Sequence, residues 1–269
     1  MNQDRRPVGV FDSGLGGLTA VRELARLLPG ENIVYLGDTG RNPYGTRSNE
    51  VILRYTREDL AFLKKYDVKA ILIACGTVSS VALGQLDKSL YPPIFGVVEG
   101  AARAAAKATK NGRIGVLGTQ ATIRSGAYEK RLRELMGEVQ VTAEACPLFV
   151  PLVENGYIKK DDPLLTLAAE EYLAPLKAAG TDTVILGCTH YPIIRDCLQK
   201  LVPDMTLIDP GYEAAGALKT ELTERGLLSD EKQGRARFFV TDEPEPFARI
   251  GSLFLGGEIE GQCERVTLL

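Results

Sequence analysis

Two of the five cysteines in this 269-residue chain stand where sulfur can do chemistry. Cys75 ends the apolar run Ala70-Ile71-Leu72-Ile73-Ala74, and Cys188 follows Val184-Ile185-Leu186-Gly187. Each run reads as a strand buried on both faces, and each is followed by a helical pattern. Pro192 suits the first helical position beyond Cys188. A thiol between a strand end and a helix N-terminus feels the partial positive charge of that helix. Its pKa is expected below ~8.5, which makes the sulfur nucleophilic or basic. Cysteine is by default a small buried hydrophobe, and Cys146, Cys197 and Cys263, lacking such a setting, are read that way. His190, the only histidine, lies two residues past Cys188 and next to Thr189, as a proton partner or substrate contact.

Short apolar runs and longer amphipathic stretches alternate along the chain and must position these thiols. Strands are expected at 8–11, 33–36 and 70–74, and near 94–97, 113–117, 139–143, 183–186, 205–208 and 236–240. Helices are expected over 17–28 and over 48–66, the latter with Ser48 as N-cap and with Glu58, Lys64 and Lys65 solvated. Such alternation predicts α/β architecture with mainly parallel sheets. An internal echo pairs Gly9-Val10-Phe11-Asp12-Ser13-Gly14 with Gly115-Val116-Leu117-Gly118-Thr119-Gln120. It also pairs the segment ending at Cys75-Gly76-Thr77 with that ending at Cys188-Thr189-His190. Two α/β halves facing each other are expected, the chain crossing near residues 98 and 207. The first domain is then 1–98 plus 207–269, and the second 99–206.

In parallel α/β units, ligands sit outside the carboxyl ends of the strands. The loop from Asp12 to Thr19 partly mimics a dinucleotide fingerprint through Gly14-x-Gly16, with Asp38 ending the next strand. Thr19 stands at the third glycine position, and Asp12 would set a carboxylate near a pyrophosphate. The preferred reading is a glycine-built turn that points Asp12 and Ser13 at a small polar ligand. Asn42-Pro43-Tyr44-Gly45 falls on the same rim, where Tyr44 can offer backbone or hydroxyl groups. Glu154, in Pro151-Leu152-Val153-Glu154-Asn155-Gly156, would otherwise pass as a solvated carboxylate.

Composition excludes other chemistries. With 32 Lys+Arg against 35 Asp+Glu the net charge is -3, a poor basis for nucleic-acid binding. One histidine and no C-x-x-C pair rule out the usual zinc sites. Five scattered cysteines are not a disulfide framework. The uncharged stretch Ala70–Leu86 is interrupted by Gly76, Thr77, Ser79, Ser80 and Gly84, so no membrane span is expected. The apolar run from Val8 stops at Asp12, too short for a signal-peptide core, and a cytoplasmic protein is expected.

The segments VFDSGLGGLT, YLGDTGRNPYG, ILIACGTVSS, PLFVPLVENG and VILGCTHYP, in this order from Gly9 to Pro192, resemble those of glutamate racemases. These belong to the cofactor-independent aspartate/glutamate racemase superfamily. The resemblance implies two pseudosymmetric three-layer α/β domains with mainly parallel sheets and an active site in the cleft between them. It implies interconversion of L- and D-glutamate, D-glutamate for peptidoglycan, no cofactor, no metal, and a homodimer. Cys75 and Cys188 would be the two acid/base residues. Asp12, Ser13, Tyr44, Gly45, Gly76, Thr77, Thr189 and His190 would contact substrate. Asp12, Glu154 and His190 resemble the family's auxiliary polar groups.

One position departs from the pattern: the family usually has Asn where this sequence has Gly76. A side-chain amide is lost, worth about 0.5–1.5 kcal/mol unless water, Ser79 or Ser80 substitutes. The departure leaves another acidic amino acid, such as aspartate, as an alternative substrate. A non-catalytic amino-acid-binding protein would use the same cleft without needing two thiols. A hydrolase acting through Cys188 and His190 would leave Cys75 idle. Racemisation uses both sulfurs: one thiolate takes the α-proton from one face while the other thiol delivers a proton to the opposite face. No lysine stands out as a Schiff-base partner.

Overall fold

The structure is a computed structural model describing residues 4–257, 259 and 263–268. Strands β1 (Val8–Asp12), β2 (Ile33–Gly37), β3 (Ala70–Ile73) and β4 (Ile94–Gly96) alternate with helices α1 (Leu18–Leu27), α2 (Asn49–Lys64) and α3 (Gly76–Val81). After α4 (Val97–Ala108) come β5 (Arg113–Gly118), α5 (Gln120–Ser125), α6 (Ala127–Met136) and β6 (Gln140–Ala145). Next are α7 (Phe149–Glu154), α8 (Pro163–Ala178), β7 (Thr183–Leu186), α9 (Arg195–Leu201) and β8 (Thr206–Ile208). The chain continues through α10 (Pro210–Glu224), β9 (Ala236–Val240), α11 (Pro244–Leu255) and β10 (Cys263–Arg265).

Every strand pairing is parallel. One sheet runs β10-β9-β2-β1-β3-β4 and the other β6-β5-β7-β8. The order β2-β1-β3-β4 is repeated as β6-β5-β7-β8, so the echoed segments occupy matching places: β1 matches β5, and β3 matches β7. The fully apolar strands are explained by cover on both faces. In the larger sheet Val8, Val10, Leu72 and Phe238 pack with α1 and α10, while Phe11, Ile71, Ile73 and Phe239 pack with α2 on the other side. In the smaller sheet Val184 and Leu186 face α8, while Ile114, Val116 and Ile185 face α4 and α6. Each half is a three-layer sandwich.

Local signals fix several boundaries. Ser48 Oγ accepts from the Val51 N–H, as expected of an N-cap. Asp162 and Asp209 cap α8 and α10, each followed by proline at the first helical position. The structure corrects four readings. The segment after Cys188 does not start an α-helix: Tyr191–Ile194 is a 3₁₀ turn, and α9 begins only at Arg195. The short turn is closed by bonds of 3₁₀ spacing, Tyr191 N–H to Cys188 O and Ile193 N–H to His190 O. Strand β6 runs to Ala145, which puts Cys146 at a strand end. Strand β10, at the sheet edge, went unread. Glu58 is not simply solvated; it pairs with Arg41. No helix among the described residues is long and apolar enough to cross a membrane.

Candidate active site

The carboxyl ends of β1, β2 and β3 face those of β5, β6 and β7 across a cleft of about 330 Å³. The loops that follow supply its walls, with Ser13 from the Asp12–Thr19 loop and residues 42–46 from the next. Ser13, Tyr44, Gly45, Cys75, Gly76 and Thr77 come from one half, and Glu154, Cys188, Thr189 and His190 from the other. Both thiols therefore line one cavity from opposite sides, and each is nearly buried. The halves are tied at the rim by Thr77 and Thr119 hydroxyls 2.9 Å apart and by Ala121 N–H donating to Gly45 O at 3.1 Å. Thr19 Oγ1 donates to Thr189 O at 3.1 Å.

The two sulfurs sit in different surroundings. Cys75 immediately precedes α3, and its thiol donates to Ser13 Oγ at 3.4 Å. Burial pushes its pKa up to about 12, assisted by the nearby Asp12 carboxyl; the Ser13 hydroxyl and the Val78 N–H oppose this only in part. The lowered value expected at a helix N-terminus is thus reversed, because desolvation outweighs the dipole of a six-residue helix. Cys188 Sγ lies 3.8 Å from His190 Nδ1, and His190 Nε2 lies 2.9 Å from Glu154 Oε1. Burial disfavours the imidazolium, but hydrogen bonds to Cys188 and Glu154 outweigh it and raise His190 from 6.5 to about 10. At neutral pH the ring is a cation held between sulfur and carboxylate.

Asp12 is placed behind the wall rather than in it. It is 1% exposed and accepts from Gly14 N–H at 2.9 Å and Thr189 Oγ1 at 3.4 Å. Burial raises its pKa, against the pull of His190 and the backbone donors of its own loop. The Tyr44 hydroxyl is not offered to the cavity: it donates to Asp38 and Asp59, which also hold Arg41. Tyr44 reaches the cleft by its other atoms. Asp38 is wholly consumed in this buried network, including a 2.7 Å bond from Thr241, and has no face left for a ribose. Ser79 bonds to Ile73 O and Val97 N–H, and neither it nor Ser80 lines the cleft, so they do not replace the missing amide.

Thr119 and Cys146 join the lining without having been singled out as site residues. The echo could have found Thr119, since it aligns with Ser13. Cys146 was hidden by ending its strand two residues early. Burial and the Glu144 carboxylate raise its thiol above the ordinary range. No lysine or arginine lines the cavity among the described residues. Its polar inventory is hydroxyls, backbone, the amides of Asn42 and Gln120, the His190 ring, the Glu154 carboxylate and three thiols.

A family model described as Asp/Glu/Hydantoin racemase matches residues 19–218. The chain is 43% identical to a glutamate racemase of Geobacter metallireducens over 98% of its own length and 97% of the relative's. It superposes with a TM-score of 0.94 on a glutamate racemase from Bacillus anthracis, at 40% identity and 98% coverage of both chains. A glutamate racemase of Francisella tularensis, solved in complex with D-glutamate, matches with a TM-score of 0.90 and 37% identity, again over 98% of both chains.

Proposed function

The chain belongs to the glutamate racemase family within the Asp/Glu/hydantoin racemases, and we propose that it interconverts L- and D-glutamate by a two-thiol mechanism. The observation that carries this reading is the placement of Cys75 and Cys188 on strand-end loops of opposite halves, lining one cleft. One sulfur, as thiolate, takes the α-proton and becomes a thiol. The electron pair left on carbon then takes the proton of the opposite thiol, which becomes thiolate. Mass and charge balance without a cofactor, and the reverse reaction exchanges the roles.

Each neighbour has a part in this cycle. Cys75, protonated at neutral pH and donating to Ser13, rests as the proton donor. Cys188 faces the His190 N–H, which can hold negative charge on sulfur while Glu154 holds the ring. With no lysine or arginine lining the cavity among the described residues, the carboxylates of a substrate fall to neutral donors and the His190 ring. Thr77, Thr119 and Thr189 offer hydroxyls, and the Gly76 backbone is open to the cavity. Donors fixed in a closed, dry cleft stabilise developing charge without reorganising during the reaction.

Incubation with either enantiomer in deuterated water tests the proposal: product gains α-deuterium, and Cys75→Ser and Cys188→Ser each abolish racemisation. Full racemisation by Cys188→Ser would overturn the two-thiol assignment. Gly76 motivates parallel assays on L- and D-aspartate; faster turnover there would make aspartate the substrate. The proposal includes supply of D-glutamate for peptidoglycan, a cytoplasmic setting and a homodimer, all resting on the motif resemblance. Sedimentation velocity tests the dimer.

A further inference from the structure

Glycines of the first half's rim loops lie tightly against the second half. A β-carbon built on Gly16 would stand 2.0 Å from Thr189 Oγ1 and 2.6 Å from His190 Nδ1. One on Gly45 would stand 2.9 Å from Thr119 Cβ. One on Gly76 would stand 2.3 Å from the carbonyl oxygen of Gly187 and 3.7 Å from Cα of Cys188. The first two would meet side chains. Gly76 alone of the three would meet the backbone that carries the opposing thiol.

Neither side of that contact yields easily. Gly187 N–H donates to Leu117 O at 2.7 Å, and Cys188 N–H to Leu186 O at 2.8 Å. Opposite them, Ala74 N–H donates to Phe11 O at 2.9 Å, and Cys75 O accepts from Ser79 N–H at 2.9 Å. Backbone conformation does not demand glycine here. Gly76 lies outside the left-handed region, at the first position of α3, where alanine is the better helix former. The requirement is the close approach itself.

We propose that Gly76 is a positioning residue for the two-thiol reaction, its missing side chain setting the closed span between Cys75 and Cys188. This rests on the two-thiol reading above. Proton transfer to and from one carbon needs both sulfurs roughly 3–3.5 Å from it on opposite faces, a span of about 6–7 Å. A β-carbon at position 76 would meet the Gly187 carbonyl, so one of the two loops must shift to admit it. A misplacement of 1 Å can cost about 10²-fold in rate. An asparagine at this position therefore widens the site in this chain instead of adding a contact.

The test compares wild type, Gly76→Ala and Gly76→Asn by two readouts. Steady-state assays with L- and D-glutamate are expected to show kcat lowered by about 10²-fold in both variants, with KM changing far less. Bis-methanethiosulfonate reagents of graded length, with the Cys75–Cys188 product identified by peptide mapping, report the span directly. Short reagents bridge the wild type, and the optimum moves to longer ones in the variants. A merely structural role would lower Tm and the active fraction without moving that optimum. An active wild type whose alanine variant keeps both kcat and cross-linking optimum overturns the role of Gly76 alone. A wild type without α-proton exchange overturns the two-thiol reading itself. Should the variants fail to fold, the wild type still decides, because a span much beyond ~7 Å contradicts the proposal.

Discussion

The loops carrying Cys75 and Cys188 occupy matching places, each after the third strand of its half, yet their chemistry differs. The first gives its sulfur an apolar surround and a buried carboxyl, which push its pKa up, and a hydroxyl that opposes the rise only in part. The second gives its sulfur an imidazolium clamped by a carboxylate. Duplicated topology thus brings two thiols to one cleft, while their neighbours differ in kind. A resting two-base site needs one proton donor and one acceptor; identical surroundings would leave that choice to chance.

The largest expected effect removes either sulfur. Cys75→Ser or Cys188→Ser is expected to lower kcat toward ~10⁴-fold, the upper range for a positioned acid or base. Retention of α-deuterium exchange with one enantiomer only would show which half of the cycle survives. Symmetric loss would show that neither thiol works without its partner.

Alkylation separates the two environments before catalysis. With its pKa near 12 against an ordinary 9.0, Cys75 at pH 8 should react with iodoacetamide roughly 10³-fold more slowly than a free thiol. Cys188 should be modified first, as read by peptide mass mapping of the ligand-free protein. Faster labelling of Cys75 would reverse the assigned resting states.

His190→Gln is expected to cost about 10²-fold, because it removes the cation beside Cys188. The enantiomers have equal free energy in solution, so kcat/KM must fall equally in both directions. The asymmetry will appear instead in the α-deuterium isotope effects, which should diverge between enantiomers. As the only histidine, His190 gives a single imidazole signal to titrate. Its folded pKa lies above its ordinary value, so the stabilisation is fully present below about pH 6.5 and is lost as pH rises through about 10. An NMR midpoint near 6.5 would remove the imidazolium from the scheme.

The sequence made this pairing of loops legible because buried parallel strands are apolar at every position and their ends are marked by glycine, cysteine and hydroxyl residues. Strand order was legible only as an echo, whose matched places the two sheets now explain. What escaped depends on distance across the chain. The Tyr44 hydroxyl is claimed by Asp59, a residue on α2, and the pKa of Cys75 is set by burial among side chains from several elements. Local spacing carries neither fact. The 3₁₀ turn after Cys188 was misread because proline at a first helical position marks a 3₁₀ start as well as an α-helical one.

Ser13→Ala is the mildest way to probe the contrast, since it takes from Cys75 its one side-chain hydrogen bond and leaves Cys188 untouched. A single hydrogen bond is worth about 0.5–1.5 kcal/mol, so a loss of roughly 2- to 10-fold in kcat is expected. The hydroxyl also opposes the rise in the Cys75 pKa, so its removal should push that thiol still higher. Iodoacetamide labelling of Cys75 should then slow further, while that of Cys188 stays constant. Equal slowing at both sulfurs would mean that Ser13 acts on the cleft as a whole, and the two thiol environments would not be separable.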